Sequence, residues 1–160
     1  MKKIKLITFD IYDTLLDNVP TNTRAEVDSR KWIEDKGGKI DWGDFNDFLK
    51  LREDLIKEDP VIEWDISKLR KEIFRKKLAH VEPLTLRNEL VDEAFSIFIN
   101  KRHEIELFNG VEDALKMLSK KYILGVLTNG NADVYRFKFG KYFNFAISSL
   151  EAKNLSLIHI

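Results

Sequence analysis

Three short stretches of the chain are almost continuously apolar and read as buried strands. Lys3 to Asp10 carries Ile4, Leu6, Ile7 and Phe9. Tyr122 to Thr128 reads YILGVLT, and Phe145 to Ser148 reads FAIS. Near-continuous apolar strands are those of parallel sheets covered on both faces. Just before the second stretch, Val111 to Lys120 places its apolar residues at helical spacing, the helix-then-strand order of an α/β core.

The stretch from about Thr21 to Glu106 has a different rhythm, helical almost throughout. The spacing predicts helices over Arg24 to Lys36, ended by Gly37 and Gly38, and over Asp44 to Glu58, ended before Pro60. Two more are predicted over Asp65 to Ala79 and over Thr85 to His103, with Thr85 as N-cap. A helical insert therefore interrupts an α/β core directly after its first strand. Neither an internal repeat nor a low-complexity segment is visible.

Composition narrows the class. The chain has 160 residues, 44% of them hydrophobic, enough for a real core. Its 27 basic and 27 acidic residues balance to zero net charge, so the basic excess expected of a nucleic-acid binder is missing. The basic cluster around Lys68 to Lys77 is interleaved with acids and apolar residues and reads as a solvated helix face. There is no cysteine, which excludes disulfides and thiolate metal sites. The N-terminal MKKIKLITFD is too short and too interrupted, by Lys5 and Asp10, for a signal peptide. No apolar run is long enough to span a bilayer. The expectation is a soluble, cytoplasmic protein with neither a membrane nor a nucleic-acid partner.

The chemistry gathers at two strand ends. An Asp at the carboxyl end of a first parallel strand faces the crevice where α/β sheets bind ligands. Here that residue is Asp10, in ITFDIYDTLLDN, with Thr14 four residues later. The second strand ends in VLTNGNADV, which brings Thr128, Asn129 and Gly130 to the same end if the strands are neighbours. A hydroxyl there can bond a phosphoryl oxygen, and a glycine lets backbone N–H groups approach an anion.

The pattern F-D-x-x-x-T-L around Asp10, followed by a hydrophobic strand ending in Thr128-Asn129, resembles motifs I and II of the haloacid dehalogenase superfamily. The likeness runs over most of residues 4 to 150. It extends through EDPVIEWDISKLR and GKYFNF to a bacterial subgroup of phosphatases acting on flavin mononucleotide and on a phosphorylated ribitylamino-uracil. The resemblance implies a Rossmann-like α/β core from residues 1–16 and 107–160, with an all-helical cap over 17–106. It also implies Mg²⁺-dependent hydrolysis of a small phosphate ester. Asp10 would be nucleophile and, with the backbone carbonyl of Tyr12, metal ligand. Thr14 would support the loop, and Thr128, Asn129 and Gly130 would hold the phosphoryl group. A carboxylate nucleophile forms a covalent intermediate, with a hard cation and fixed donors stabilising the transferring charge.

Two departures from the pattern matter. Superfamily phosphatases usually carry a general-acid Asp two residues after the nucleophile, where this chain has Tyr12; Asp13, one residue on, is expected to point elsewhere. A tyrosine with its pKa near about 10 is a poor proton donor at neutral pH. Tyrosine at that position resembles the haloacid dehalogenases, whose halide leaving group needs no proton. That makes dehalogenation the second expectation, although none of Arg24, Arg30 and Arg52 aligns with their cap arginine. A non-catalytic domain binding a phosphorylated ligand is the third. The other departure is at the C-terminus. Motif III, a Lys-Pro pair, is expected near Ser156 and Leu157, where the chain reads NLSLIHI; Lys153 lies too early, and no acid follows Glu151. The metal site would then be incomplete, the strand carrying Asp10 would be an exposed apolar edge, and this fragment would be poorly soluble and inactive.

The remaining residues invite plainer readings. His80, His103 and His159 show no ligand spacing. Trp32, Trp42 and Trp64 in the insert are packing residues by default, and Phe95 to Ile99 is core or interface.

Overall fold

A computed structural model describes residues 3–153. The positions expected for motif III, Ser156 and Leu157, lie outside the described residues. The fold is α/β. Among the described residues a three-stranded parallel sheet has the order β1 (Leu6–Phe9), β2 (Ile123–Thr128), β3 (Phe145–Ser148). The register pairs Leu6 with Ile123 and Phe9 with Val126, then Gly125 with Phe145 and Thr128 with Ser148. All three strands thus run to one end, which carries Asp10, Thr128 and Ser148.

The strands are not equally buried. Leu124 and Val126 on β2 are fully enclosed, as its position between two neighbours dictates. The expectation of burial on both faces fails for β1. Leu6 is 47% exposed and Ile4 is exposed outright, while Ile7 and Phe9 alone turn toward the core. β1 lies at the sheet edge among the described residues, the exposed apolar edge that was the other expectation, and its burial alternates because only the face carrying Ile7 and Phe9 is covered. The core cluster joins Leu124 and Val126 to Leu115 of α5 (Val111–Leu118), to Ile11, Leu15 and Leu16 of the loop after β1, and to Phe137, Phe139 and Phe143 before β3.

Between β1 and α5 run four helices: α1 (Asn18–Gly37), α2 (Phe45–Glu58), α3 (Ile66–Lys77) and α4 (Leu84–Lys101). They enclose two further apolar clusters. Ile33, Phe74, Leu78, Val91 and Ala94 join α1, α3 and α4; Leu55, Ile62, Leu69 and Ile73 join α2 and α3. The helix ends follow local chemistry. The Asp44 carboxylate caps α2 by accepting from Asn46 and Asp47 backbone N–H groups, and Asp47 returns the bond, a reciprocal capping box. α1 stops at Gly38, whose φ of 83° lies in the left-handed region that glycine tolerates.

Two helix starts differ from expectation. α1 begins at Asn18, not near Arg24, because Asp17 caps it by accepting from Val19 N–H, and Pro20 falls in the first turn, where a missing N–H costs nothing. α4 begins at Leu84 with Pro83 as N-cap, so Thr85 is inside the helix and caps nothing. Proline's preset φ fixes the extended residue before the helix without a side-chain bond.

The helical insert is tied down over the carboxyl end of the sheet by specific polar contacts. Asn131, in the loop after β2, donates to Ser67 Oγ at 3.1 Å. Ser149, the first residue of α6 (Ser149–Ala152), donates to the Trp64 carbonyl at 3.0 Å. His103, just past α4, joins the insert to the same loop. Its Nδ1 lies 2.7 Å from the Ile99 carbonyl, which can only accept, so the proton sits on Nδ1. Nε2 is then free to accept from Asp133 N–H at 3.0 Å. Burial holds the His103 pKa below the ordinary imidazole value, with the Arg136 charge acting in the same direction. Protonation would set a second N–H against that of Asp133. Because the folded state binds the proton less readily than the unfolded chain, His103 contributes stability above about pH 6.5 that is lost as pH falls through the folded-state pKa. Thermal melts over about pH 5 to 8 should show this slope, and His103→Gln should flatten it; identical slopes for both proteins would contradict the account.

Candidate active site

The loop from Asp10 to Asp17 is shaped by its own backbone. Leu15 N–H donates to the Ile11 carbonyl at 2.8 Å, a single helical turn, and Asp13 N–H donates to the Leu16 carbonyl at 2.8 Å. Asp13 takes φ of 58°, a left-handed conformation that Asp tolerates better than most residues. Its carboxylate turns away from the strand end and accepts from Asn18 N–H at 3.0 Å. Leu16 is bridged to Leu107, where the chain returns from the insert, and is fully buried. The apolar residues Ile11, Leu15 and Leu16 thus anchor the loop, leaving Asp10 at its mouth.

Asp10 is partly buried at the end of β1. Thr14 Oγ1 donates to its Oδ2 at a long 3.4 Å. Burial raises the Asp10 pKa above the ordinary carboxylate value, and the nearby Asp13 charge acts in the same direction. The Ile11 backbone N–H and the Thr14 and Thr128 hydroxyls oppose the rise. The sheet register therefore does bring Asp10 and Thr128 together, across the β1–β2 pair. Thr128 itself is buried, and its Oγ accepts from Gly130 N–H at 3.0 Å. Asn129 is exposed at the mouth, with its carbonyl toward Ser149.

Gly130 serves a purpose the sequence did not suggest. Its N–H is used within the turn, and a Cβ at this position would overlap the Tyr12 ring. Its φ is not among the positive ones, so the demand for glycine is one of space, not of backbone conformation. Tyr12 packs on Gly130 from one side, and the Arg102 guanidinium lies 4.4 Å from its ring centroid. The Tyr12 hydroxyl is buried without a hydrogen-bond partner in good geometry, although Arg102 and the Ala132 backbone lie near it. Burial raises its pKa, partly offset by the Arg102 charge, so the phenol stays neutral.

Two cavities lie between the helices of the insert. The outer one, about 330 Å³, is lined by Glu26, Arg30, Trp42, Phe45, Phe48 and Arg70 among others. The inner one, about 210 Å³, is lined by Asn22, Phe48, Arg70, Phe98, Arg102 and Asn131 among others. Arg70 and Arg102 are the residues that sequence reasoning missed. Both occupy apolar-stripe positions: Arg70 falls between Leu69 and Ile73 on α3, and Arg102 stands four residues after buried Phe98 and eight after Ala94. An arginine inside a buried stripe was the available signal. Of the insert arginines noted from the sequence, Arg30 lines the outer cavity, Arg24 donates to the Glu104 carbonyl at 2.9 Å, and Arg52 lines neither cavity.

For a hard cation the donor types are suitable but few. Mg²⁺ is held by one or two carboxylates and keeps several waters. Asp10 and the Tyr12 carbonyl are oxygen donors of that kind, and a cation there would relieve the raised Asp10 pKa. Among the described residues no group of three acidic or histidine side chains comes together as a metal site. No helix among them is long and apolar enough to cross a membrane.

Comparison with known proteins agrees with this geometry. A sequence profile of haloacid dehalogenase-like hydrolases matches residues 4–154. The 5-amino-6-(5-phospho-D-ribitylamino)uracil phosphatase YigB of Escherichia coli is 30% identical over 149 residues, covering 91% of this chain and 61% of its own length. The crystal structure of a 2-haloacid dehalogenase from Pseudomonas syringae pv. Tomato DC3000 superposes with a TM-score of 0.85 at 35% identity, over 95% of this chain and 66% of that one. The hydrolase YfnB of Bacillus subtilis, solved bound to magnesium, shares the fold at 18% identity and a TM-score of 0.56, over 92% of this chain and 66% of that one. The chain thus spans about two thirds or less of the length of each relative.

Proposed function

The chain belongs to the haloacid dehalogenase-like hydrolases, and from that premise we propose that it hydrolyses a small phosphomonoester through an aspartyl-phosphate intermediate, with Mg²⁺ as cofactor. The observation that carries this reading is the setting of Asp10: a carboxylate at the strand end, flanked by the Thr14 and Thr128 hydroxyls, with Thr128 and Gly130 in turn lining a cavity of about 290 Å³ at the same end of the sheet. Hydroxyl donors match phosphoryl oxygens better than they match a carbon-bound halogen.

In this reading an Asp10 carboxylate oxygen attacks phosphorus, the bond from phosphorus to the ester oxygen breaks, and water then cleaves the acyl phosphate. Thr128 and the exposed Asn129 bond the phosphoryl oxygens, and Thr14 keeps Asp10 oriented. Gly130 supports the site by giving Tyr12 room. Asp10 and the Tyr12 carbonyl would hold Mg²⁺, which when bound supplies charge neutralisation for the transferring group. The helices over residues 17–106 act as a cap that excludes water, on a core formed by residues 1–16 and 107–160.

The leaving oxygen needs a proton, and this loop offers poor donors. The Asp13 carboxylate is turned to Asn18, and the Tyr12 phenol is buried with a raised pKa. Esters with acidic leaving groups should therefore react faster than alkyl esters. The same feature supports a second reading, dehalogenation of a small 2-haloacid, since halide leaves unprotonated. Phosphate release from an aryl phosphate and from flavin mononucleotide, with and without Mg²⁺, should be compared with chloride release from 2-chloropropionate. Magnesium-dependent phosphate release supports the first reading. Chloride release without added metal, and no phosphate, would replace it with the second.

A further inference from the structure

The turn after β2 walls the cavity at the carboxyl end of the sheet: Thr128, Gly130, Asn131, Ala132 and Asp133 all line it. At its near end the sheet fixes this turn. Thr128 pairs with Ser148, and its Oγ accepts from Gly130 N–H at 3.0 Å. At its far end Asp133 N–H finds its acceptor outside the turn, on His103 Nε2 at 3.0 Å.

The His103 ring is itself held in place. Its Nδ1–H donates to the Ile99 carbonyl at 2.7 Å, in the last turn of α4, where carbonyls lack partners within the helix. The ring lies against Phe137 at 5.3 Å between centroids, and Phe137 stacks on Phe139. The two backbone groups make opposite demands, one for a donor and one for an acceptor. A neutral imidazole meets both across one rigid ring; an imidazolium has only donors. The charged groups that bear on the ring from the core are Arg136 and Asp133. On its own segment stand Lys101, paired with Asp28 and Glu104, and Arg102, turned to Asn18 and the Tyr12 ring. Burial and the Arg136 charge favour the neutral ring, and the Asp133 charge opposes them. A second bond, from Arg136 to Asn100 Oδ1 at 2.9 Å, joins the same two segments without touching the turn from Thr128 to Asp133.

We propose that His103 is a positioning residue for the phosphoryl-binding turn: its neutral ring, aimed by the Ile99 carbonyl, holds Asp133 and so keeps Thr128, Asn129 and Gly130 in the shape that receives the phosphoryl group. This rests on the phosphatase reading above. Protonation sets a second N–H against that of Asp133, so Asp133 must move. Gly130 is only three residues away, and the displacement reaches the wall of the cavity. The ring therefore imposes an acid limit on phosphoryl binding that is separate from any imposed by Asp10.

The test follows hydrolysis of an aryl phosphate with Mg²⁺, from about pH 7.5 down to about pH 5.5, in wild type, His103→Gln, His103→Phe and Asn100→Ala. A glutamine amide can donate to Ile99 and accept from Asp133 at every pH, whereas phenylalanine keeps only the packing. The titrations of the ester and of Asp10 are common to all four proteins and cancel in the comparison. Over this range the wild type should lose at least about threefold more kcat/KM than His103→Gln, the loss of one ordinary hydrogen bond, and most of it in KM. His103→Phe should be impaired already at about pH 7.5, with His103→Gln recovering part of the loss. Asn100→Ala, which breaks the other tie between these segments, should keep the wild-type profile. Superimposable profiles for wild type and His103→Gln overturn the proposal. So does an Asn100→Ala protein as impaired as His103→Phe, because His103 would then be one of several ties between the insert and the core. If no ester is hydrolysed, the phosphatase reading fails separately, and NMR of the backbone amides decides His103. Amides from Gly130 to Asp133 that shift with the imidazole titration in wild type, and stay fixed in His103→Gln, support the positioning role; amides of the turn indifferent to that titration overturn it.

Discussion

Asp10→Asn is expected to abolish ester hydrolysis and, in the same protein, to raise the melting temperature at neutral pH. The first effect follows from the proposed chemistry. An amide cannot form the acyl phosphate, and removing a nucleophile lowers kcat by at least about a thousandfold. The second follows from the raised pKa. Burial and the Asp13 charge make the ionised Asp10 less favourable in the folded chain than in the unfolded one. The folded state therefore holds the proton more tightly. Stability is full below the ordinary carboxylate pKa of about 4 and declines as pH rises through the folded-state value, so at neutral pH the cost is fully present. Asparagine is uncharged and of the same shape, and its carbonyl can still accept from Thr14 and Thr128. Melts of both proteins should diverge at about pH 7 and converge near about pH 4. A variant that still releases phosphate would remove Asp10 from the nucleophile's role. A variant that melts lower at neutral pH would show that the carboxylate is stabilised there by more than it loses to burial.

The combination separates residues kept for the fold from residues kept for the reaction. Ile11, Leu15 and Leu16 hold the loop, and their loss would cost stability. Asp10 is expected to cost stability, and it sits where a strand end and two hydroxyls meet.

The parts legible in the sequence were those fixed by local pattern. Within YILGVLT the middle of β2, Leu124 to Val126, is buried between two neighbouring strands, while Ile123 at its start is exposed, so the centre of the apolar run is a direct reading of its place. Asp10 and Thr128 could be placed at one sheet end because parallel strands share a direction. The apolar run of β1 suggested cover on both faces, because such a run does not reveal which faces are covered; the exposed apolar edge, the other expectation for this strand, is what Ile4 and Leu6 show. The start of α1 was missed because Asn18 to Thr23 contains proline and weak helix formers, and the Asp17 cap decides it. Gly130, Arg70 and Arg102 depend on side chains distant in sequence. The partner that makes Gly130 necessary is 118 positions earlier, at Tyr12, and the counter-ion of Arg70 among the described residues is on another helix, at Glu26. No window along the chain contains either pair.

That dependence of Gly130 on Tyr12 leads to the other large expected effect. Gly130→Ala should destabilise the chain by about 1–3 kcal/mol, the usual result of adding a methyl group to a filled space. The added Cβ would coincide with the edge of the Tyr12 ring, so the ring must swing out or the turn after β2 must shift. Either movement disturbs Arg102, which lies on the other part of that ring, and with it the inner cavity. Tyr12→Ala on its own should also destabilise, by up to about 3–5 kcal/mol, because it leaves a space where the ring was. The informative protein is the double variant. With the ring gone, the alanine methyl enters vacant space, and Gly130→Ala should then cost close to nothing. The coupling between the two sites should equal nearly the whole single-variant cost, measured by urea denaturation of the four proteins in the cycle. If Gly130→Ala costs the same with and without the ring, Tyr12 is not the reason for glycine here. The requirement would then belong to the backbone around Thr128, and to the close approach of an anion that the bare turn was first expected to admit.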